Sequence, residues 1–304
     1  MIPMKSMAEL AGLARAKGQA RIALAAADDD DALRAVDSAC KDGMASAMLV
    51  GDPEKIADVA GRAGIDLAPY EIIDEPDPAR AALKAAALVS SGKATVLMKG
   101  LVDSASYLKA ALDPDVGLRT GKTLCSVVLV EVPGFDRLLL LSDAAMNPVP
   151  SIEVKKDMIA ACASVARAMG CTEPRVALIG ASEKPDAKMP ASLEAAELQK
   201  LAEAGLFPGC KVAGPMGLDL ALSAESARHK GYAHEVGGTA DILILPGIES
   251  ANVLVKAMMY LAKAAGAGVV LGAKAPIVMT SRSDSARDKA SSIALAILMS
   301  GYKV

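Results

Sequence analysis

Short apolar runs alternate with longer alanine-rich segments along almost the whole chain. The runs at 21–26, 46–50, 94–98, 175–179, 240–245, 268–271 and 277–280 have the length and aliphatic character of buried strands. Between them, segments 31–41, 77–89, 151–169, 192–204, 249–262 and 285–298 repeat apolar residues every three or four positions, which predicts amphipathic helices. Strand and helix in alternation are the mark of parallel strands joined by crossover helices, so the expected class is α/β. One stretch departs from this rhythm. SVVLVEVPGFDRLLLLSD sets two apolar runs, 126–132 and 137–141, around Pro133-Gly134, which predicts an antiparallel hairpin. The following AMNPVPS carries Pro148 and Pro150 before a helix begins near Ser151, and a domain boundary is expected there.

Composition narrows the function classes. With 33 Lys+Arg against 36 Asp+Glu and a net charge of −3, the 304-residue chain has no basic excess for a generic nucleic-acid surface. Hydrophobic residues make up 53% of it and aromatic residues only 2%, so the core is built from Ala, Leu, Val, Ile and Met, which suits helices on a sheet. No apolar run approaches the roughly 20 residues of a membrane span, and the opening segment, with Glu9 inside it, reads as an amphipathic helix rather than a secretion signal. A cytoplasmic location is expected. Cys40, Cys125, Cys162, Cys171 and Cys210 are widely spaced and never form CxxC, the pattern of reduced, buried thiols. The acidic run Asp28 to Asp31 reads as a solvated cap before a helix.

Several chemical signals fail on spacing. GLRTGKT at 117–123 has three residues between its glycines where a phosphate loop needs four. Gly266, Gly268 and Gly272 lie before or within a strand, whereas a dinucleotide fingerprint follows one and opens a helix. His229 and His234, the only histidines, are five apart with no acidic cluster to complete a metal set, so no metal is expected. So few histidines, and no GxSxG elbow, also disfavour a serine-histidine hydrolase.

The segment 272–301 combines a strand, a serine-rich turn and a helix. Ligands of open α/β sheets bind beyond the carboxyl ends of strands, where helix N-termini attract anions. Ser281, Arg282 and Ser283 fall there, and Arg282 offers a planar fork for phosphate with the hydroxyls of Thr280, Ser281 and Ser283 beside it. Ser285-Ala-Arg-Asp288 also fits a capping box, and that structural reading stays open beside a chemical one. Capping does not account for Arg282, a cation at the positive end of a helix, which an anion would compensate.

Strings distributed over nearly the whole chain resemble the phosphate acetyl/butyryl transferase family, nearest its butyryl branch. They are LMKGLVD at 97–103, GLRTGK at 117–122, EVPGFDRLLLLSDAAMN at 131–147, EKPDAKMPASLEAAELQKLA at 183–202, GPMGLDLALS at 214–223, ARHKG at 227–231 and GAKAPIVMTSRSDS at 272–285. The resemblance implies reversible transfer of a short acyl group, acyl-CoA plus phosphate giving acyl phosphate plus coenzyme A, with coenzyme A as substrate and no permanent cofactor. It implies two α/β/α domains of the isocitrate and isopropylmalate dehydrogenase type, 1–147 plus 268–304 and 148–267, with the site in the cleft between them and a homodimeric assembly. Ser281 and Arg282 match the family's cleft pair. Asp288, seven residues after Ser281, matches the base for the coenzyme A thiol, with Asp284 of the butyryl-type TSRSDS string a rival. Ser104 falls near hydroxyls that meet phosphate and could equally cap a helix. Asp143 and Asn147 would face the cleft or form a turn, and Lys99 would be a supporting contact. Two rival functions share the scaffold: a metal- and NAD(P)-dependent hydroxyacid dehydrogenase, and a non-catalytic acyl-CoA-binding protein.

Overall fold

The computed structural model describes residues 1–18, 20–281 and 284–302; Arg282 and Ser283 lie outside the described residues. In chain order the elements are α1 (Met7–Lys17), β1 (Ala20–Ala25), α2 (Asp30–Lys41), β2 (Ala45–Gly51), α3 (Pro53–Ala63), β3 (Glu71–Asp74), α4 (Pro78–Ser90), β4 (Val96–Lys99) and α5 (Ser104–Ala111). They continue with β5 (Cys125–Glu131), β6 (Leu139–Ser142), α6 (Ile152–Ala168), β7 (Arg175–Ile179), α7 (Pro190–Glu203), β8 (Lys211–Met216), α8 (Leu218–Leu222), α9 (Ala224–His229), β9 (Ile242–Ile244) and α10 (Ile248–Tyr260). β10 (Ala265–Leu271), β11 (Ile277–Val278) and α11 (Ala286–Met299) follow. The chain is the expected mixed α/β protein, and its elements group into two compact units.

One unit holds Met7–Leu124 and residues 267–302. Its strands run in the order β3-β2-β1-β4-β11-β10, parallel except that β10 is antiparallel to β11. β1 and β2 bury nearly every side chain, as parallel strands covered on two faces must. α11 packs on both α1 and α2, whereas α4 crosses β1, β2 and β4 with α5 beside it. Helix starts are written in side chains: Asp29, Asp52, Asp77 and Asp103 each accept a first-turn N–H, and Pro53 and Pro78 open α3 and α4.

The other unit holds Met1–Ser6 and Cys125–Gly266, with strand order β5-β6-β9-β7-β8. The expected hairpin is present, pairing Val128 with Leu141 and Val130 with Leu139. β6 also pairs in parallel with β9. Those ladder bonds draw the hairpin into this unit, so the division falls before Cys125 rather than at the prolines after Asn147. α8, α9 and α10 bury Leu220, Ala227, Ala251 and Val255 against Leu139, Leu141, Ala213 and Leu243 of the sheet. The buried Asp241 carboxylate accepts the N–H groups of Ile2 (2.8 Å) and Arg175 (3.0 Å), which ties the first residues to the start of β7.

Two strands escape the hydrophobic pattern for physical reasons. β3 (EIID) is a half-exposed edge strand, and β8 (KVAGPM) contains the turn residues Gly214 and Pro215. Gly214 is required by closeness: a Cβ there would meet Leu178 Cβ at 2.5 Å and its carbonyl oxygen at 2.7 Å.

Gly100 is a tighter case, since a Cβ would lie 2.2 Å from Ala26 O and 2.7 Å from Ala25 O. Backbone cannot yield as a flexible side chain can, so Gly100→Ala should cost about 2 kcal/mol or more in urea unfolding. Gly12 lies in α1 with open space, nothing within 4 Å, where an added methyl would sit, and Gly12→Ala should stabilise by roughly 0.5–1 kcal/mol. Equal effects of the two would contradict this account.

Candidate active site

Three parallel strands end side by side at one sheet edge: the register pairs Ala25 with Lys99 and Met98 with Val278. From β1 the chain moves outward through β2 and β3, then returns to β4 on the opposite side of β1. Connections leaving in opposite directions open a crevice at the carboxyl ends of β1 and β4, the usual ligand position in such sheets. A cavity of about 370 Å³ lies there. Its walls are Asp28 to Ala32 after β1, Lys99 to Leu101 after β4, Thr280 and Ser281 after β11, and Lys289 of α11. All of them belong to the unit of Met7–Leu124 and 267–302.

The floor is backbone. Gly100 N–H donates to Ala25 O and Leu101 N–H to Ala26 O, both at 2.8 Å. Ala26 has φ 50°, a left-handed conformation that costs an alanine energy and turns the chain out of β1 toward the aspartates. Lys99 Nζ donates to Val102 O at 2.8 Å and Gly100 O at 3.2 Å, holding the exit from β4. On the third side, the fully buried Tyr107 donates its hydroxyl to Val278 O at 3.3 Å, which fixes the end of β11 just before Thr280 and Ser281.

The predicted residues of this segment come together in two successive turns. Asp284 Oδ2 accepts the Ser281 N–H at 2.7 Å, and Asp284 N–H returns a bond to Ser281 O at 3.2 Å. Ser285 is the N-cap of α11: its Oγ accepts Asp288 N–H at 3.1 Å and donates to Asp288 Oδ2 at 2.6 Å. The serine half of the capping box is present, and Asp288 answers it through the Ser285 hydroxyl, which holds the carboxylate at the positive end of the helix. Arg282 and Ser283 are outside the described residues.

Other candidates have different surroundings. Ser104 is exposed, is the first residue of α5 and is absent from the cavity wall; the cap of α5 is Asp103, not Ser104. The hydroxyl and N–H of Ser106 hold the Asp103 carboxyl below the usual range. Asp143 and Asn147 belong to the other unit. Asp143 is 1% exposed; its Oδ1 accepts Ala145 and Met146 N–H (2.9 Å each) and its Oδ2 accepts Ser126 N–H (3.1 Å) and Asn147 Nδ2 (2.6 Å). Three of these four donors lie within the turn 143–147, so its own backbone and Asn147 engage most of this carboxylate.

The acidic run does more than cap. Asp29 accepts Ala32 N–H at 2.9 Å and Asp30 pairs with Arg34, as a solvated cap would, but Asp31 pairs with the buried Lys289 at 2.8 Å and residues Asp28 to Asp31 all line the cavity. Lys289 is missed by the apolar stripe at 290, 293, 294, 297 and 298, yet its spacing from Ser292, Ile293 and Ala296 places it on the buried helix face, a signal the sequence does hold. Three family-like strings meet elsewhere, where Lys230 Nζ bridges Glu183 (2.9 Å) and Asp219 (3.0 Å).

No thiol is prepared as a nucleophile. Cys125, Cys162 and Cys171 are buried and Cys40 and Cys210 half-buried. Burial, with the Asp143 charge, pushes Cys125 up to about 12; burial raises Cys40 to about 11 and lifts the other three above the ordinary range. Among the described residues no three His, Cys, Asp or Glu side chains form a metal-binding group, and no helix is long and apolar enough to cross a membrane.

Comparison with known proteins gives the family. The family model described as Phosphate acetyl/butaryl transferase matches residues 77–297. The chain is 45% identical over 300 residues to phosphate butyryltransferase of Clostridium acetobutylicum, covering 99% of this chain and 100% of that one. It is 44% identical over 287 residues to phosphate acetyltransferase of Thermotoga maritima, covering 94% and 97%. Among solved structures, a branched-chain phosphotransacylase from Enterococcus faecalis superposes with TM-score 0.82 at 29% identity, covering 93% and 100%. The 4-hydroxythreonine-4-phosphate dehydrogenase of Klebsiella pneumoniae, with TM-score 0.56 at 14% identity over 92% and 99%, shares the fold alone, which is the dehydrogenase-type fold expected. With a cavity at the switch point between β1 and β4, a serine-rich turn on its wall and a family match spanning most of its length, the chain belongs to the Phosphate acetyl/butaryl transferase family.

Proposed function

We propose that this protein is a phosphate acyltransferase that reversibly moves a short acyl group between coenzyme A and inorganic phosphate. The observation that carries this reading is the end-to-end likeness to phosphate butyryltransferase, and the cavity lined by Thr280 and Ser281 supports it. Starting from acyl phosphate, a carboxylate takes the coenzyme A S–H proton. The sulfur then bonds to the acyl carbon, charge passes to the carbonyl oxygen, and the C–O bond to phosphate breaks with its electron pair leaving on phosphate. The reverse reaction retraces these steps. A free thiol is mostly protonated at neutral pH, so a placed base accelerates attack by about 10² to 10⁴.

Asp288 is assigned as that base. Asp288 is preferred because it matches the family's base position and sits at the positive end of α11, where its carboxylate is held by Ser285; Asp284, whose carboxylate accepts the Ser281 N–H, is the rival. Ser281 donates to the developing oxyanion and Arg282 holds the phosphoryl group, with Thr280 and Ser283 beside it. The raised thiols of the chain favour direct transfer between the two substrates over an acyl-cysteine intermediate. A cytoplasmic homodimer belongs to the same reading, and the exposed Val253 and Tyr260 on α10 with Leu261 just after it would suit a dimer interface.

The near-equal identities to butyryl- and acetyl-transferring relatives leave chain length to the pocket, where one methylene changes selectivity by only about 1–3 kcal/mol. Phosphate-dependent release of free thiol from butyryl-, isobutyryl- and acetyl-CoA tests the activity. Turnover is expected with all three, highest for the four-carbon chains; binding of coenzyme A without thiol release would indicate a non-catalytic binder instead. Asp288→Asn should lower kcat by about 10² or more, and Asp284→Asn should act less, with a loss of stability. A fully active Asp288→Asn with an inactive Asp284→Asn would reverse the assignment.

A further inference from the structure

Lys289 has no role in the scheme above, and stability does not account for it. It lies one turn into α11, four residues after the N-cap Ser285, with its N–H bonded to Ser285 O at 3.0 Å. Its side chain is 4% exposed, and its Nζ stands 2.8 Å from a carboxylate oxygen of Asp31, which is 59% exposed. Burial strips the ammonium of water. The positive end of the helix repels it. A largely solvated carboxylate returns only part of those costs, so an apolar chain of similar length would hold this helix face as well or better. Beyond that ion pair, Lys289 lines the cavity together with Thr280 and Ser281.

A buried ammonium and two hydroxyls around about 370 Å³ form an anion site with room for a phosphoryl group and a few carbons. The carboxylates of Asp28 to Asp31 on the same wall limit the negative charge it accepts. We propose that Lys289 binds the phosphoryl oxygens of inorganic phosphate and acyl phosphate in this cavity, with Asp31 steering its ammonium. The proposal rests on the acyl-transfer reading for its substrate, but phosphate binding is measurable without turnover.

The test titrates inorganic phosphate into the full chain during thermal unfolding, then measures KM for phosphate and for butyryl-CoA. Variants are Lys289→Met, Lys289→Arg and, as a control, Lys55→Met on exposed α3. Phosphate should raise the melting temperature of the unaltered protein. Lys289→Met should weaken phosphate about 10- to 100-fold in both measurements while KM for butyryl-CoA changes about 2-fold or less. Arginine should recover part of the loss, Lys55→Met should match the parent, and ligand-free Lys289→Met should melt no lower than the parent. Unaltered phosphate binding in Lys289→Met overturns the proposal, as does an equal loss for phosphate and butyryl-CoA, or an unaltered protein that phosphate does not stabilise. Phosphate stabilisation through Lys289 without any thiol release would leave this proposal standing and overturn the acyl-transfer reading instead.

Discussion

The cavity depends on one close approach, where β1 and β4 leave the sheet and their backbones stay hydrogen-bonded for two more residues. Gly100 and Leu101 donate to the carbonyls of Ala25 and Ala26, and no side chain fits between them. The left-handed Ala26 is the strained element in this arrangement. It lets the chain turn outward over the sheet edge, so that four consecutive aspartates line one wall while the Lys99 ammonium folds back onto Val102 O. Because β11 is in register with β4, residues near the end of the chain reach the same edge, and the buried Tyr107 fixes that strand end without contributing a wall.

The wall supplied by α11 has a layered logic. Two adjacent turns each pair a serine with an aspartate three residues on: Ser281 with Asp284 through the backbone, Ser285 with Asp288 through the hydroxyl. The first turn sets where Ser281 points. The second both starts the helix and leaves a carboxylate at its positive end, a place where negative charge is favoured. A capping box and a chemical role are thus compatible in one side chain. Since burial raises the protein's own thiols, reactive sulfur at neutral pH is left to the substrate.

Much of this was legible in the residues. Alternating short and long apolar segments carry the α/β class because parallel strands covered on both faces must be apolar throughout, and the capping box at Ser285 needs only two side chains at a fixed spacing. The features that escaped depend on residues far apart in sequence. β8 carries Gly214 and Pro215, which read as a break until Leu178 of the neighbouring strand is in place. The hairpin 126–141 has a clear turn, but its allegiance is decided by pairing with β9, a hundred residues later. Lys289 reads as a solvated lysine unless the helix is turned so that its face meets α2, and Asp31 reads as a cap until that lysine arrives beside it. Asp103 rather than Ser104 caps α5, a one-residue shift that pattern alone rarely resolves.

The interrupted path of the chain through its two units has a consequence for biogenesis. Residues 125–266 emerge from a ribosome as one uninterrupted block that contains β5 through β9. β11 and α11, which fill the place beside β4 and cover α2, are translated only after that block. Until then β4 carries an unpaired edge and α2 a bare apolar flank, the kind of exposed surface that chaperones shield. Nascent chains stalled before residue 267 should therefore be the ones such helpers retain.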